Sequence, residues 1–159
     1  MKYIIRDAVK TDMSRVLELI QELASFEKEP NSVEVTLEEL IEAGYGEKPL
    51  YHCFVAEVDG KVEGMALVYP RYSTWRGPVI HLEDLIVTQD MRGTGLGSAL
   101  LKRVVQYGKE QGVKRIGWEV LDWNEPAIKF YESKGANVMR DWDVVQLDEE
   151  GMNRFLEST

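Results

Sequence analysis

The stretch from Leu82 to Ser98 constrains the fold of this chain more than any other. It begins as an apolar strand pattern, Leu82-Glu83-Asp84-Leu85-Ile86-Val87. It then passes through Arg92-Gly93-Thr94-Gly95-Leu96-Gly97 and enters a helix near Leu96. A strand fed into a helix through a glycine loop calls for an α/β arrangement. Glycines at alternate positions let the backbone bend and approach a ligand closely. The first turn of the helix offers N–H groups without intrahelical partners, at the end where the macrodipole favours negative charge. A phosphate or pyrophosphate is the expected guest. The alternative is a flexible connection, but that seldom needs three glycines beside Arg92. A dinucleotide fingerprint read from Gly93 or Gly95 would end on Ser98 or Leu100, so neither frame fits, and the Walker A pattern is absent.

The flanking chain reads as alternating strands and helices. Tyr3 to Arg6 is a short strand, and Met13, Val16, Leu17, Ile20, Leu23 and Ala24 recur with helical spacing. Thr36 and Glu39 have capping-box spacing, predicting a second helix to about Ala43. The loop acids Glu27 and Glu29 either line a substrate entrance or are simply solvated, the second being the usual state of loop charges. Tyr51–Val58 and Lys61–Tyr69 form a hairpin about Asp59-Gly60. Pro70 to Pro78 is expected to be a loop carrying Tyr72 and Trp75, and Val79 to Thr88 the strand that feeds the glycine loop. The following helix should end near Gly112, with a strand over Arg115–Val120. Pro126 opens a further helix with Asn124 or Glu125 at its cap. Val138–Leu147 is expected to form one or two strands carrying Trp142, and the tail a last half-helix. The sum is one α/β domain over residues 1–159, a mixed sheet with helices on both faces.

Composition narrows the function. A length of 159 residues suits one core. A net charge of −9 argues against nonspecific nucleic-acid binding and is compatible with a cationic substrate. No apolar run approaches the roughly 18 residues of a membrane span. The N-terminus meets Asp7 too early for a signal peptide, so a cytoplasmic location is expected. Cys53 is the single cysteine and sits among strand residues, where it is expected to fill core rather than act as a nucleophile.

Glu83 and Asp84 are adjacent carboxylates in an otherwise apolar strand. Strand alternation places them on opposite faces, and burying either is costly without a reason. They are candidate functional acids; the alternative is a frayed strand start with each acid paired to an arginine. Phe130-Tyr131, read alone, is an aromatic pair on an amphipathic helix and belongs to a core.

The glycine loop resembles the R/Q-x-x-G-x-G/A signature of the GNAT superfamily of N-acetyltransferases, and Asn124, Ala127, Phe130 and Tyr131 match its N-x-x-A-x-x-F-Y pattern. Gly44–Glu47, Tyr51–Glu57, Leu82–Asp84, Arg92–Ser98 and Trp123–Tyr131 are similar, in order, to segments of the spermidine/spermine (diamine) and thialysine N-acetyltransferases. The resemblance implies a GNAT fold with a mostly antiparallel sheet, and acetyl-CoA as co-substrate with no metal. It implies cofactor contacts from Leu85, Ile86, Val87, Arg92, Gly93, Thr94, Gly95, Leu96, Gly97, Ser98, Asn124, Ala127 and Phe130. By the same resemblance Glu83 is the base, acting through water, and Tyr131 the acid. It further implies that Asp84, Trp75 and Trp142 lie near the amine and that the protein is a homodimer. Ser73 stands where polyamine-acetylating relatives carry an acid, and Arg140-Asp141 where they are richer in acids. A diamine or a lysine- or thialysine-like amino acid therefore fits at least as well as a polyamine. The competing expectations are the same chemistry on an antibiotic or a protein N-terminus, and a non-catalytic acyl-CoA-binding domain.

Overall fold

The computed structural model describes residues 1–158, which fall into two compact units, Met1–Glu119 and the chain from Val120 onward. The first unit contains β1 (Tyr3–Asp7), α1 (Met13–Phe26), α2 (Leu37–Tyr45), β2 (His52–Val58), β3 (Lys61–Ser73), β4 (Gly77–Val87), α3 (Leu96–Glu110) and β5 (Ile116–Gly117). The five strands form one sheet in the order β1-β2-β3-β4-β5. The first four are antiparallel and β5 is parallel to β4.

Local chemistry sets several boundaries. Asp59 and Gly60 both take positive φ, 50° and 79°, which matches the right-handed twist of the β2–β3 hairpin. Thr36 Oγ1 accepts the Glu39 N–H while the Glu39 carboxylate accepts the Thr36 N–H, closing the start of α2.

Register assigns the faces. Cys53, Leu67 and Asp84 are cross-strand neighbours and share one face, and Cys53 and Leu67 pack in the same cluster as Met13, Val16, Leu19 and Leu40 of α1 and α2. Phe54, Ala66 and Leu85 share the other face, where the Phe54 ring meets Tyr107 and the guanidinium of Arg103 on α3. Helices therefore cover both faces, as the sequence predicts. Met13, Val16 and Leu19 are wholly buried, each contributing about 1.5–3 kcal/mol of apolar transfer energy. Gly64 permits the close layering: a Cβ there would lie 2.9 Å from the Ile86 carbonyl oxygen and 3.2 Å from Leu100 Cδ1.

The second unit holds α4 (Glu125–Ser133) and α5 (Glu149–Ser158). Asn124 Oδ1 accepts the Ala127 N–H at the start of α4, and Asp148 Oδ1 accepts the Gly151 N–H at 2.7 Å at the start of α5.

Three expectations are corrected. Pro70 to Pro78 is not a loop: β3 runs on to Ser73 and β4 starts at Gly77, leaving only residues 74–76 as the turn. Pro70 is tolerated because its partner Ile80 donates its N–H away from β3, to the Arg115 carbonyl. The Pro70–Ile80 pair thus exchanges no ladder bond, and the missing proline N–H costs nothing. The strand expected over Arg115–Val120 shrinks to Ile116–Gly117. Val138–Leu147 forms no strand, having no ladder partner among the described residues, and the expected half-helix is the ten-residue α5.

Candidate active site

The expected opposition of Glu83 and Asp84 is overturned by a β-bulge. Leu67 pairs with Asp84 and Val68 with Leu82, so Glu83 is an extra residue on β4. Alternation shifts by one across it. Asp84 falls on the α1/α2 face with Cys53 and Leu67, whereas Leu82, two residues back, aligns with Val68 on the α3 face. Glu83 leans the same way as Asp84: its Oε2 lies 3.4 Å from Nε2 of His81, which pairs with Tyr69 on the α1/α2 face. Burial, then the charge of the nearby Glu83 carboxylate and its pull on the hydroxyl proton, raise the Tyr69 hydroxyl pKa. The bulge thus gathers two carboxylates on one face.

Asp84 bears the cost of this arrangement. Burial, then the charges of Glu83 and Glu27, push its carboxyl up to about 7. Glu27, at the C-cap of α1, is itself raised by burial. It is therefore not a simply solvated loop acid. Cys53 Sγ is pushed up to about 12 by burial, which suits core filling.

The same bulge redirects the backbone. Before it the Ile80 N–H points to the β5 side, and after it the Thr88 N–H points to Glu63 of the β3 side. Leu85 and Val87 therefore aim their main-chain groups away from β3, while Ile86 between them pairs with Met65. The β4–β5 ladder consists of Ile80–Ile116 and His81–Gly117 alone, so β4 beyond Leu82 has an open edge there among the described residues. An extended ligand can add to such an edge.

The edge runs into the glycine loop. Gly93 and Gly95 have φ of 77° and 93°, and a Cβ on either would meet nothing within 4 Å, so backbone conformation rather than crowding demands glycine. Gly95 caps α3 with no side-chain bond, and the first intrahelical bond runs from the Ala99 N–H to the Gly95 carbonyl. The N–H groups of Leu96, Gly97 and Ser98 precede it, at the positive end of the helix dipole. Thr94 Oγ1 donates to the Met91 carbonyl at 2.6 Å. Arg92 is exposed, donates through Nε to the Val87 carbonyl, and lies over the Phe26 ring at 5.0 Å. Glycine conformation, uncapped amides and a nearby guanidinium together fit a pyrophosphate.

The loop is anchored to α1. The Glu22 carboxylate accepts the Thr88 hydroxyl at 2.9 Å and the Gln89 N–H at 2.9 Å. Trp75 is the tip of the β3–β4 hairpin and 83% exposed. In the second unit, Asn124 spends its carboxamide oxygen on the cap of α4, leaving Nδ2 for another partner. Ala127, Phe130 and Tyr131 follow on that helix, with the two rings 5.5 Å apart and Tyr131 half-buried. Trp142 lies in an irregular segment and is exposed.

Sequence reasoning missed Tyr69, His81 and Glu22. The signal for the first two was present as spacing, since His81 stands two residues from Glu83, but its meaning depends on the bulge. Glu22 gave no signal apart from its place on a helix.

Known proteins resemble this chain in sequence and in fold. The model of the Acetyltransferase (GNAT) family matches residues 13–136. The thialysine N-epsilon-acetyltransferase of Bos taurus is 38% identical over 162 residues, covering 95% of both chains. The human spermidine/spermine N(1)-acetyltransferase-like protein 1 is 37% identical over 139 residues, which make up 83% of this chain and 20% of that longer protein. The aminoglycoside N-acetyltransferase AAC(6')-Iy, in complex with a bisubstrate analogue of CoA, superposes with a TM-score of 0.76 over 92% of this chain and 98% of its own. At 20% identity that likeness speaks for the fold alone.

Proposed function

The chain belongs to the Acetyltransferase (GNAT) family and is an N-acetyltransferase, and from that premise we propose direct acetyl transfer from acetyl-CoA to the primary amine of a small cationic substrate. The observation that carries the reading is the bulge at Glu83. It sets two coupled carboxylates on one face and, in the same strand, opens a backbone edge leading to an anion-binding helix end. The glycine loop, the amides of Leu96, Gly97 and Ser98, and Arg92 would hold the pyrophosphate. Leu85 and Val87 would hold the pantetheine arm as an added strand, with Asn124, Ala127 and Phe130 as further contacts.

Bound acetyl-CoA supplies the electrophilic thioester carbonyl and a thiolate leaving group. An alkylammonium near pKa 10 is not a nucleophile, so a base must take its proton before attack. Glu83 is that base, through water, and Asp84 is the counter-charge that draws the ammonium in. Tyr131 returns a proton to the departing thiolate; the resemblance of its surrounding motif supports this role. By the same resemblance Trp75 and Trp142 would each lie near the amine. The scheme uses no metal, and the protein works as a single domain and a cytoplasmic homodimer.

The acceptor is a diamine or a lysine- or thialysine-like amino acid. A relative named for thialysine matches along nearly the whole length of both chains, and Ser73 beside Trp75 offers no acid for a long polycation. Turnover of acetyl-CoA should be measured against thialysine, lysine, putrescine, spermidine and an aminoglycoside. The amino acids and the diamine should turn over best; spermidine or the aminoglycoside in first place would overturn the substrate assignment, and turnover with none would point to a binding domain. Tyr131→Phe should lower kcat about a hundredfold with CoA binding retained, and Glu83→Gln should slow the reaction most below the amine pKa. Unchanged turnover in either variant removes that residue from its role.

A further inference from the structure

A buried histidine lies behind the proposed base. His81 is 7% exposed, one of two buried polar or charged side chains in the described core. Its ring is tilted against Tyr69 with centroids 5.1 Å apart, which limits its rotation. Arg71, on the same strand face as Tyr69, brings Nη1 to 3.4 Å from His81 Nδ1. A guanidinium only donates, so Nδ1 must be the acceptor and the ring proton must sit on Nε2. That nitrogen is the one 3.4 Å from Glu83 Oε2. Glu83 is half-exposed at a bulge, where a glutamate has many rotamers to choose from.

Resting on the reading of Glu83 as base, we infer that Arg71 and His81 form a positioning pair. Arg71 fixes the tautomer of His81, and His81 Nε2–H holds the Glu83 carboxylate in one orientation. A donor at Oε2 leaves the remaining lone pairs of the carboxylate to receive the proton. Such contacts are often long without substrate and tighten when it binds. Neither Arg71 nor His81 touches the reacting atoms in this scheme. The other acids near the cluster are Asp84, Glu119, whose charge reaches Tyr69, and Glu27, whose charge reaches Asp84.

The test uses the full chain and an amine that it acetylates. Nitrogen-resolved NMR of the His81 ring should show the Nε2–H tautomer, and an Nδ1–H ring would overturn the assignment. His81→Phe keeps a ring against Tyr69 but loses the donor. It should lower kcat about tenfold to a hundredfold, with KM for acetyl-CoA within about twofold. His81→Gln places an amide N–H near the old Nε2 and should keep most of the rate. Arg71→Met, at an exposed position, should let the Nδ1–H tautomer appear and lower kcat about threefold to tenfold. In a Glu83→Gln background His81→Phe should cost nothing further. A slow Glu83→Gln with an unimpaired His81→Phe removes the positioning role alone. So does a His81→Gln as slow as His81→Phe, or a His81→Phe penalty undiminished in the Glu83→Gln background. A Glu83→Gln enzyme with parental turnover overturns the base and this inference together.

Discussion

Asp84 shows what a functional side chain costs a fold. Its carboxyl titrates at about 7 in the folded state against 3.8 ordinarily, because burial and two neighbouring acids disfavour its charge. Below about pH 4 the group is neutral in both states and costs nothing. Between pH 4 and 7 the unfolded chain releases the proton while the folded one keeps it, so stability falls as pH rises, and above 7 the loss is complete. Asp84→Asn should therefore stabilise the protein at pH 8, on the order of 2 kcal/mol, with no gain at pH 4. Urea unfolding at the two pH values checks this, and an equal effect at both would mean that ionisation is not the cause. The same variant should raise KM for the amine, since the ammonium loses its counter-charge. The pair Glu83-Asp84 was legible because two acids in an apolar strand are conspicuous. Their shared face was not, because it depends on one unpaired residue in a ladder that no local spacing reveals.

At the scale of elements, the legible parts were those with local causes. Asp59-Gly60, the Thr36–Glu39 box and the glycine loop each follow from a backbone need that the residues themselves meet. The β3–β4 extension was hidden because Pro70 and the aromatics read as a turn. What makes Pro70 acceptable is the direction of the Ile80 N–H, a fact about a different strand. Val138–Leu147 failed for the converse reason, since apolar residues specify a strand only where a ladder partner exists. The anchoring of the loop by α1 is also nonlocal, 66 residues apart in sequence for Glu22 and Thr88. Glu22→Ala removes the acceptor for both the Thr88 hydroxyl and the Gln89 N–H and frees the loop entrance. KM for acetyl-CoA should rise about threefold to tenfold with a smaller change in kcat, since binding geometry is loosened while the acids stay in place. Initial-rate kinetics with acetyl-CoA varied at saturating amine measure this, and an unchanged KM would make the contact purely structural.

Over the whole molecule, the two proposed substrates meet one field of a single sign. A net charge of −9 attracts a cationic amine and repels an anionic cofactor, so the cofactor must be held by groups at short range. The helix amides and Arg92 are such groups, and they act within a few ångströms, where salt screens least. The long-range part is different. Raising salt from 0.1 M to 1 M shortens the screening length from about 10 Å to about 3 Å, which removes attraction for the amine and repulsion for the cofactor alike. KM for the amine should therefore rise several-fold, while KM for acetyl-CoA stays level or falls. A parallel rise in both constants would mean that ion pairing with the cofactor outweighs the global field. Repeating the series with Asp84→Asn separates the scales: the salt dependence of the amine KM should shrink only slightly, because one carboxylate is a small part of a field set by the whole surface.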